Sequence, residues 1–365
     1  MNRRHARHSR VESSPLQPVV VASLADASRR IQKEFRRRLS EQFGPNGAEE
    51  SLDFHNPRHS EEVVTHARKF LDIVREIDPS LVSDLDLELI QIEGLAHDVV
   101  QRSTKPPGRL RLRHRGYRAA DVPQAVRNLG IAVGNELASA RELLGELARY
   151  RFPDGRSVFP VDDPAFRREI ADDIGATFPA FKPNAEIDGD RGLKMYHPHL
   201  TARSSLRALA LVTADTRADI GSNPDPEVFR RHGNAEFREL RHAMKGQLLN
   251  GIERLEPRRR IQIARDILGW VREQIAFAKW QKVLFLESLE RNRRLNASPK
   301  AAAIKRALRR QYRSFDSNIR AVRNRCARLE REYGDPGDAK AFARRTCEMS
   351  KEQLRALFRE MGYAR

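Results

Sequence analysis

Apolar positions recur at three- and four-residue intervals along most of the chain, and alternation with a period of two is nearly absent. That pattern predicts an all-α protein. A first helix is expected over about 22–43, capped by Ser23 and stopped by "FGPNG". A second is expected over about 57–77, with Asn56 as N-cap, Pro57 at the first helical position and "DPS" as its end. Further helices are expected over about 86–101, 122–150, 164–174 and 200–220. The segment "TKPPGRLRLRHRGYR" reads as a basic loop. Residues 151–199 are rich in Pro, Gly and aromatic residues and read as a long loop of functional type, interrupted only by the 164–174 helix.

The C-terminal part is more regular. Ala264, Leu268, Val271, Ile275, Ala278, Phe285 and Leu289 keep a 4-3 spacing, broken only at Lys282. Leu308, Tyr312, Phe315, Ile319, Val322, Cys326 and Leu329 keep it again after "NASP". A seven-residue repeat of this kind suits packed antiparallel helices or a coiled coil, so the sequence predicts a helical hairpin of two long arms. Two short helices are expected to follow. "GSNPDP" marks the expected domain boundary. The division is then a basic leader and first helix over 1–50, a helical domain over 51–222 and a basic helical module over 223–365.

Composition narrows the class. The chain has 365 residues, 39% of them apolar, enough to bury a sizeable core. No run of about 18 apolar residues suggests a membrane span. The basic opening "MNRRHARHSR" is followed by only a short apolar patch without a clear cleavage pattern, so a cytoplasmic protein is expected. Two cysteines, Cys326 and Cys347, argue against a disulfide framework and against a thiolate zinc site. The formal net charge is +18 and is uneven. Residues 53–102 hold eleven Asp/Glu against five Lys/Arg, whereas residues 291–331 hold fourteen Lys/Arg against two Asp/Glu. An acidic module and a basic one share the chain, and the basic one suggests an anionic partner.

The acidic module carries the candidate chemistry. "FHNPRH" sets His55 and His59 four residues apart, and "GLAHDVVQ" contains the adjacent pair His97-Asp98. His59 falls in the first turn of one expected helix and His97-Asp98 near the end of another. Asp215, in "ALVTADT", offers a carboxylate from a third helix. Asp219, one turn later, is the alternative to Asp215. His59, His97, Asp98 and Asp215 make a mixed imidazole–carboxylate set that suits a divalent ion such as Mn²⁺, Fe²⁺, Zn²⁺, Ni²⁺ or Mg²⁺.

This order of residues resembles the HD phosphohydrolase superfamily, whose pattern is H…HD…D. "FHNPRH" is similar to the "YHNxxH" opening of cyclic nucleotide phosphodiesterases and small bacterial HD hydrolases, with Phe54 in place of Tyr. "GNELASARELL" resembles the Asn-Glu…Ser-Ala helix of the small bacterial members at Asn135, Glu136, Ser139 and Ala140. The resemblance covers about 51–221. It implies an HD-type helical bundle, His59, His97, Asp98 and Asp215 as metal ligands, and His55 as the proton donor to the leaving oxygen. It also implies a phosphorylated, nucleotide-like small molecule as substrate. The acidic pair that follows the HD motif in guanosine tetraphosphate hydrolases is replaced by "VVQR", which points away from that substrate.

The arginines of the basic helix, Arg306, Arg309, Arg310, Arg313, Arg320, Arg323 and Arg325, have two readings. They bind nucleic acid along the helix, or they neutralise an acidic protein surface, this chain's own acidic module included. The alternative to a hydrolase is a non-catalytic HD-fold module that uses these helices for binding.

Overall fold

The first described helix, α1 (Leu24–Phe43), starts where Ser23 accepts a hydrogen bond from the Asp26 amide and buries Ile31, Phe35, Leu39 and Phe43 along one face. It belongs to a computed structural model that describes residues 17–44, 53–100, 135–240 and 256–363. The basic loop expected at 104–118 and the start of the helix expected at 122–150 lie outside the described residues.

Helix α2 (Pro57–Ile77) begins as the sequence predicts. The Asn56 side chain accepts from the amides of Arg58 and His59, and Pro57 occupies the first turn. Helix α3 (Asp84–Ala96) opens with a reciprocal capping box between Ser83 and Asp86. It buries Leu87, Leu89, Ile90, Ile92 and Leu95, apolar on nearly every side, because it lies between two cores. Leu89, Ile92 and Leu95 join one cluster with α1, α4 (Asn135–Leu147) and α5 (Pro164–Gly175). Leu87 and Ile90 join the other, which reaches from Val63 on α2 to Met361 near the C-terminus. Gly94 sets the approach of α3 to α2: a Cβ there would stand 2.9 Å from Val64 Cγ2 and 3.2 Å from the Val64 backbone.

Helix α6 (Leu206–Thr216) packs on α2, and the single turn α7 (Ala218–Gly221) that follows joins the same buried cluster. Arg207, near the start of α6 and almost fully buried, anchors it. Its guanidinium pairs with Asp86 and, at 3.3 Å, Glu93 of α3, and with Asp173 of α5 at 2.9 Å.

Several elements differ from the sequence expectation. The 151–199 stretch contains an antiparallel hairpin, β3 (Ala180–Ile187) with β4 (Asp190–Tyr196), packed on a long helix. A two-residue parallel pair, β1 (Val19–Val20) with β2 (Tyr150–Arg151), ties the N-terminal segment to the end of α4. The chain is thus predominantly helical with two small strand pairs. In the hairpin, Pro183 and the bulge at Asn184 interrupt the alternation of β3. A helix that the sequence reading did not foresee, α8 (Pro226–Leu240), follows the "GSNPDP" turn.

The first expected arm is one 35-residue helix, α9 (Pro257–Arg291). The second is divided. After the short α10 (Arg293–Ala297), helix α11 (Ala301–Gln311) packs toward α2, and after a break at 312–314 helix α12 (Phe315–Tyr333) packs on α9. The break is held by the Ser314 amide donating to the Gly221 carbonyl at 2.9 Å, and Phe315 lies against Gly221. One arm thereby serves two partners, which a continuous heptad could not do. Helices α13 (Ala339–Cys347) and α14 (Lys351–Glu360) end the chain as two short elements. Apolar side chains from both sides of the 222/223 junction belong to one buried cluster. No described helix is long and apolar enough to cross a membrane.

Candidate metal centre

Three helix ends bring the candidate ligands together. The Asn56 cap fixes the first turn of α2 and turns the His59 side chain inward, where it is buried. His97 terminates α3, and its Nδ1 donates to the Gly94 carbonyl at 2.8 Å. That bond assigns the proton to Nδ1 and leaves the Nε2 lone pair facing the cluster. His97 Nε2 is buried and faces the Asp98 and Asp215 carboxylates. Asp98 Oδ2 lies 3.1 Å from His97 Nε2 and 3.6 Å from His59 Nε2. Asp215, on the last turn of α6, places Oδ1 3.1 Å from His59 Nε2 and 3.8 Å from His97 Nε2.

His59, His97 and Asp98 each offer one ligand atom, all within 4.8 Å of one another, so the group can hold a metal ion. The donor set fits a divalent cation: two buried imidazole nitrogens with anionic oxygens beside them. The electrostatics agree. Burial opposes ionisation of Asp98, yet the neighbouring His97 and His55 pull its pKa down to about 2. Asp215 is lowered further, against burial, by hydrogen bonds and charge from His59 and His97. Burial disfavours charge on His97, but Asp98 and Asp215 outweigh it and raise its pKa well above the usual value. Two anions in this pocket demand positive charge, which a dication would supply in place of protons.

Asp219, the alternative to Asp215, is engaged elsewhere. It accepts a 2.5 Å hydrogen bond from Nδ1 of His232 on α8, while His232 Nε2 faces Glu62 of α2 at 3.2 Å. Burial lowers the His232 pKa, but the hydrogen bonds to Asp219 and Glu62 outweigh it and raise it to about 9.

His55 stands just before α2, outside the ligand group. Its Nδ1 meets Oε1 of Glu239 on α8 at 2.5 Å. Glu239 Oε2 accepts the amides of Phe54 and His55 at 2.8 and 3.1 Å, so one carboxylate fixes both ring and backbone. Burial would lower the His55 pKa; Glu239, Asp98 and Asp215 together raise it to about 10. The Phe54 ring packs against both histidines, with centroids 4.9 Å from His55 and 4.5 Å from His59. Ser139, in the expected Asn-Glu…Ser-Ala helix, accepts the Val100 amide at 3.2 Å, holding the chain two residues beyond Asp98.

The sequence reading did not find Glu236, Glu239, His232 or Arg217. The first three ride on α8, whose available signal was Pro226 followed by Phe229, Gly233 and Phe237 at four-residue spacing. Burial, more than the nearby Glu239 and Asp215 carboxylates, raises Glu236 to about 7, against the pull of His55. Arg217 is fully buried within electrostatic reach of Asp215; burial draws its pKa down to about 10, so it remains a cation. His197 and His199, read from sequence as loop residues, are buried; burial and then Arg217 depress His197 to about 3, leaving it neutral.

Fold and cluster define a predominantly helical protein with a group able to hold a metal. Neither a family model, nor a curated protein, nor a solved structure matches the chain.

Proposed function

We propose that the chain is a metal-dependent phosphohydrolase or phosphodiesterase of the HD type, acting on a nucleotide-like phosphate ester. The observation that carries the reading is the convergence of His59, His97, Asp98 and Asp215 from three helices, with His55 beside them and backed by Glu239. When bound there, a divalent ion would activate water and offset phosphoryl charge.

The chain's own residues divide the remaining work. Glu239 takes up the Nδ1–H of His55 and holds its ring, which leaves Nε2–H to donate to the leaving oxygen. The same carboxylate favours the imidazolium, the form a general acid requires. Phe54 walls both histidines and keeps water from one side of the site. Arg217 lies behind Asp215 and moderates its charge.

The test is elemental analysis of protein purified without chelator, followed by a phosphomonoester and phosphodiester screen with Mn²⁺, Fe²⁺, Zn²⁺, Ni²⁺ and Mg²⁺. The expected result is a bound transition metal and ester hydrolysis that Asp98→Ala abolishes. Protein that takes up none of these ions overturns the reading. Protein that binds metal yet hydrolyses no ester favours a non-catalytic module of the same fold.

A further inference from the structure

Residues 291–313 contain nine Lys/Arg and no Asp or Glu. The fold sorts these cations into two groups. Arg291 pairs with Glu287, Arg294 with Glu169, and Lys305 and Arg309 share Glu290. Arg306, Arg310 and Arg313 are exposed and have no carboxylate within ion-pairing distance among the described residues. Arg306 and Arg310 form a stripe one turn long on α11, about 6 Å at 1.5 Å per residue, and Arg313 stands in the break just beyond the helix end. Arg293 and Lys300 are exposed close by.

The scaffold under the stripe is fixed. Leu295, Ile304 and Leu308 are fully buried. Asn292 caps α10 through the Leu295 amide at 2.9 Å and donates to the Ser204 carbonyl at 3.0 Å. Ser298 donates to Asp78, and Lys300 Nζ to the Ile77 carbonyl at 2.8 Å. A backbone held in advance leaves only side-chain entropy to lose on meeting a polyanion. The α11–α2 contact packs Ile304 and Leu308 with Ile73 and Ile77, and Arg310 and Glu76 line one pocket there without pairing, so the acidic surface of α2 leaves the three arginines unmatched.

We infer that the Arg306–Arg310 stripe, with Arg313 beyond it, binds the phosphate backbone of a nucleic-acid duplex without reading its sequence. Guanidinium forks match phosphate oxygens. A single strand is disfavoured because strand-binding surfaces stack bases on exposed aromatic rings, and the one aromatic residue of this segment, Tyr312, is buried. A lipid surface is disfavoured because no large exposed apolar side chain lies here to enter the headgroup layer. The inference stands apart from the metal centre, since none of its residues touches that site.

Fluorescence anisotropy of the full chain with a labelled mixed-sequence DNA duplex, over a salt series, tests it. The parent should bind at low salt and weaken steeply, because each neutralised phosphate releases counterions. The triple variant Arg306→Gln, Arg310→Gln, Arg313→Gln should bind at least about tenfold more weakly at low salt, with the log–log slope reduced by about 0.9 for each lost contact. The corresponding triple Lys variant should keep most of the slope, and both should melt like the parent. A parent that does not bind at about 50 mM salt overturns the inference, as does a Gln variant that folds and keeps the parental slope. Tighter binding to a single strand of equal length, or to anionic vesicles, overturns the commitment to a duplex.

Discussion

His55 and His59 lie four residues apart in sequence yet face different partners, and that difference separates the roles proposed for them. His59 contacts Asp98 and Asp215, whereas His55 contacts Glu239. Asp98→Ala is therefore expected to remove metal from the purified protein, measured by elemental analysis, because it deletes the oxygen shared between His97 and His59. His55→Ala should leave metal content intact and lower turnover by about 10²–10⁴, the usual scale for losing a general acid. An ester with a nitrophenolate leaving group, which needs no proton, should suffer much less. Loss of metal in His55→Ala would show that the two roles are wrongly divided. Glu239→Gln should shift the alkaline limb of the turnover–pH profile to lower pH, since the carboxylate that favours the His55 imidazolium is gone.

At the scale of elements, the spacing of α2 and α3 decides whether the ligands meet. Gly94→Ala adds a Cβ against Val64, and overpacking of this kind costs about 1–3 kcal/mol, partly offset by alanine's higher helix propensity. The expected outcome is a modest loss in denaturant stability together with weaker metal binding, because His97 lies three residues further on. His232 joins α8 to α2 through Glu62 and to α7 through Asp219. Its pKa rises from an ordinary 6.5 to about 9 on folding. The raised value means that the folded state binds more protons between those limits. The resulting stability is fully present below pH 6.5 and is lost as pH climbs through about 9. Chemical denaturation across that window should show a decline on the order of 3 kcal/mol, which His232→Gln flattens; an unchanged pH profile in the variant would refute the assignment.

Over the whole molecule, the cluster that supports α2 and α6 includes Ile267, Val271 and Phe285 of α9 and Phe315 of α12. A chain ending after Ser222 would expose that surface. Such a truncation is expected to aggregate or melt without a cooperative transition in calorimetry, and a soluble, sharply melting fragment would establish the chain up to Ser222 as self-sufficient. Because the ligands come from α2, α3 and α6, bound metal should stabilise the chain by about 2.7 kcal/mol at a hundredfold excess over Kd. Chelator should lower the melting temperature of the parent and leave Asp98→Ala unchanged.

Helix starts were legible because caps are local: Ser23, the Asn56-Pro57 pair and the "DPS" stop act within a few residues of themselves. The candidate ligands were legible as residue types in a recognisable order, and three of them do come together as a group able to hold an ion. The break at 312–314 was not legible, because a heptad records which side of a helix is apolar and not how many partners that side must reach. The β3–β4 hairpin was hidden because Pro183 and the bulge at Asn184 interrupt the alternation of β3. Glu239 was hidden because it lies 184 residues from His55 and has no local pattern tying it there. Local sequence determined where helices begin and which side chains could bind a metal. Tertiary packing alone decided that Asp215 faces the histidines while Asp219 turns to His232, since both carboxylates lie one turn apart and only their neighbours differ.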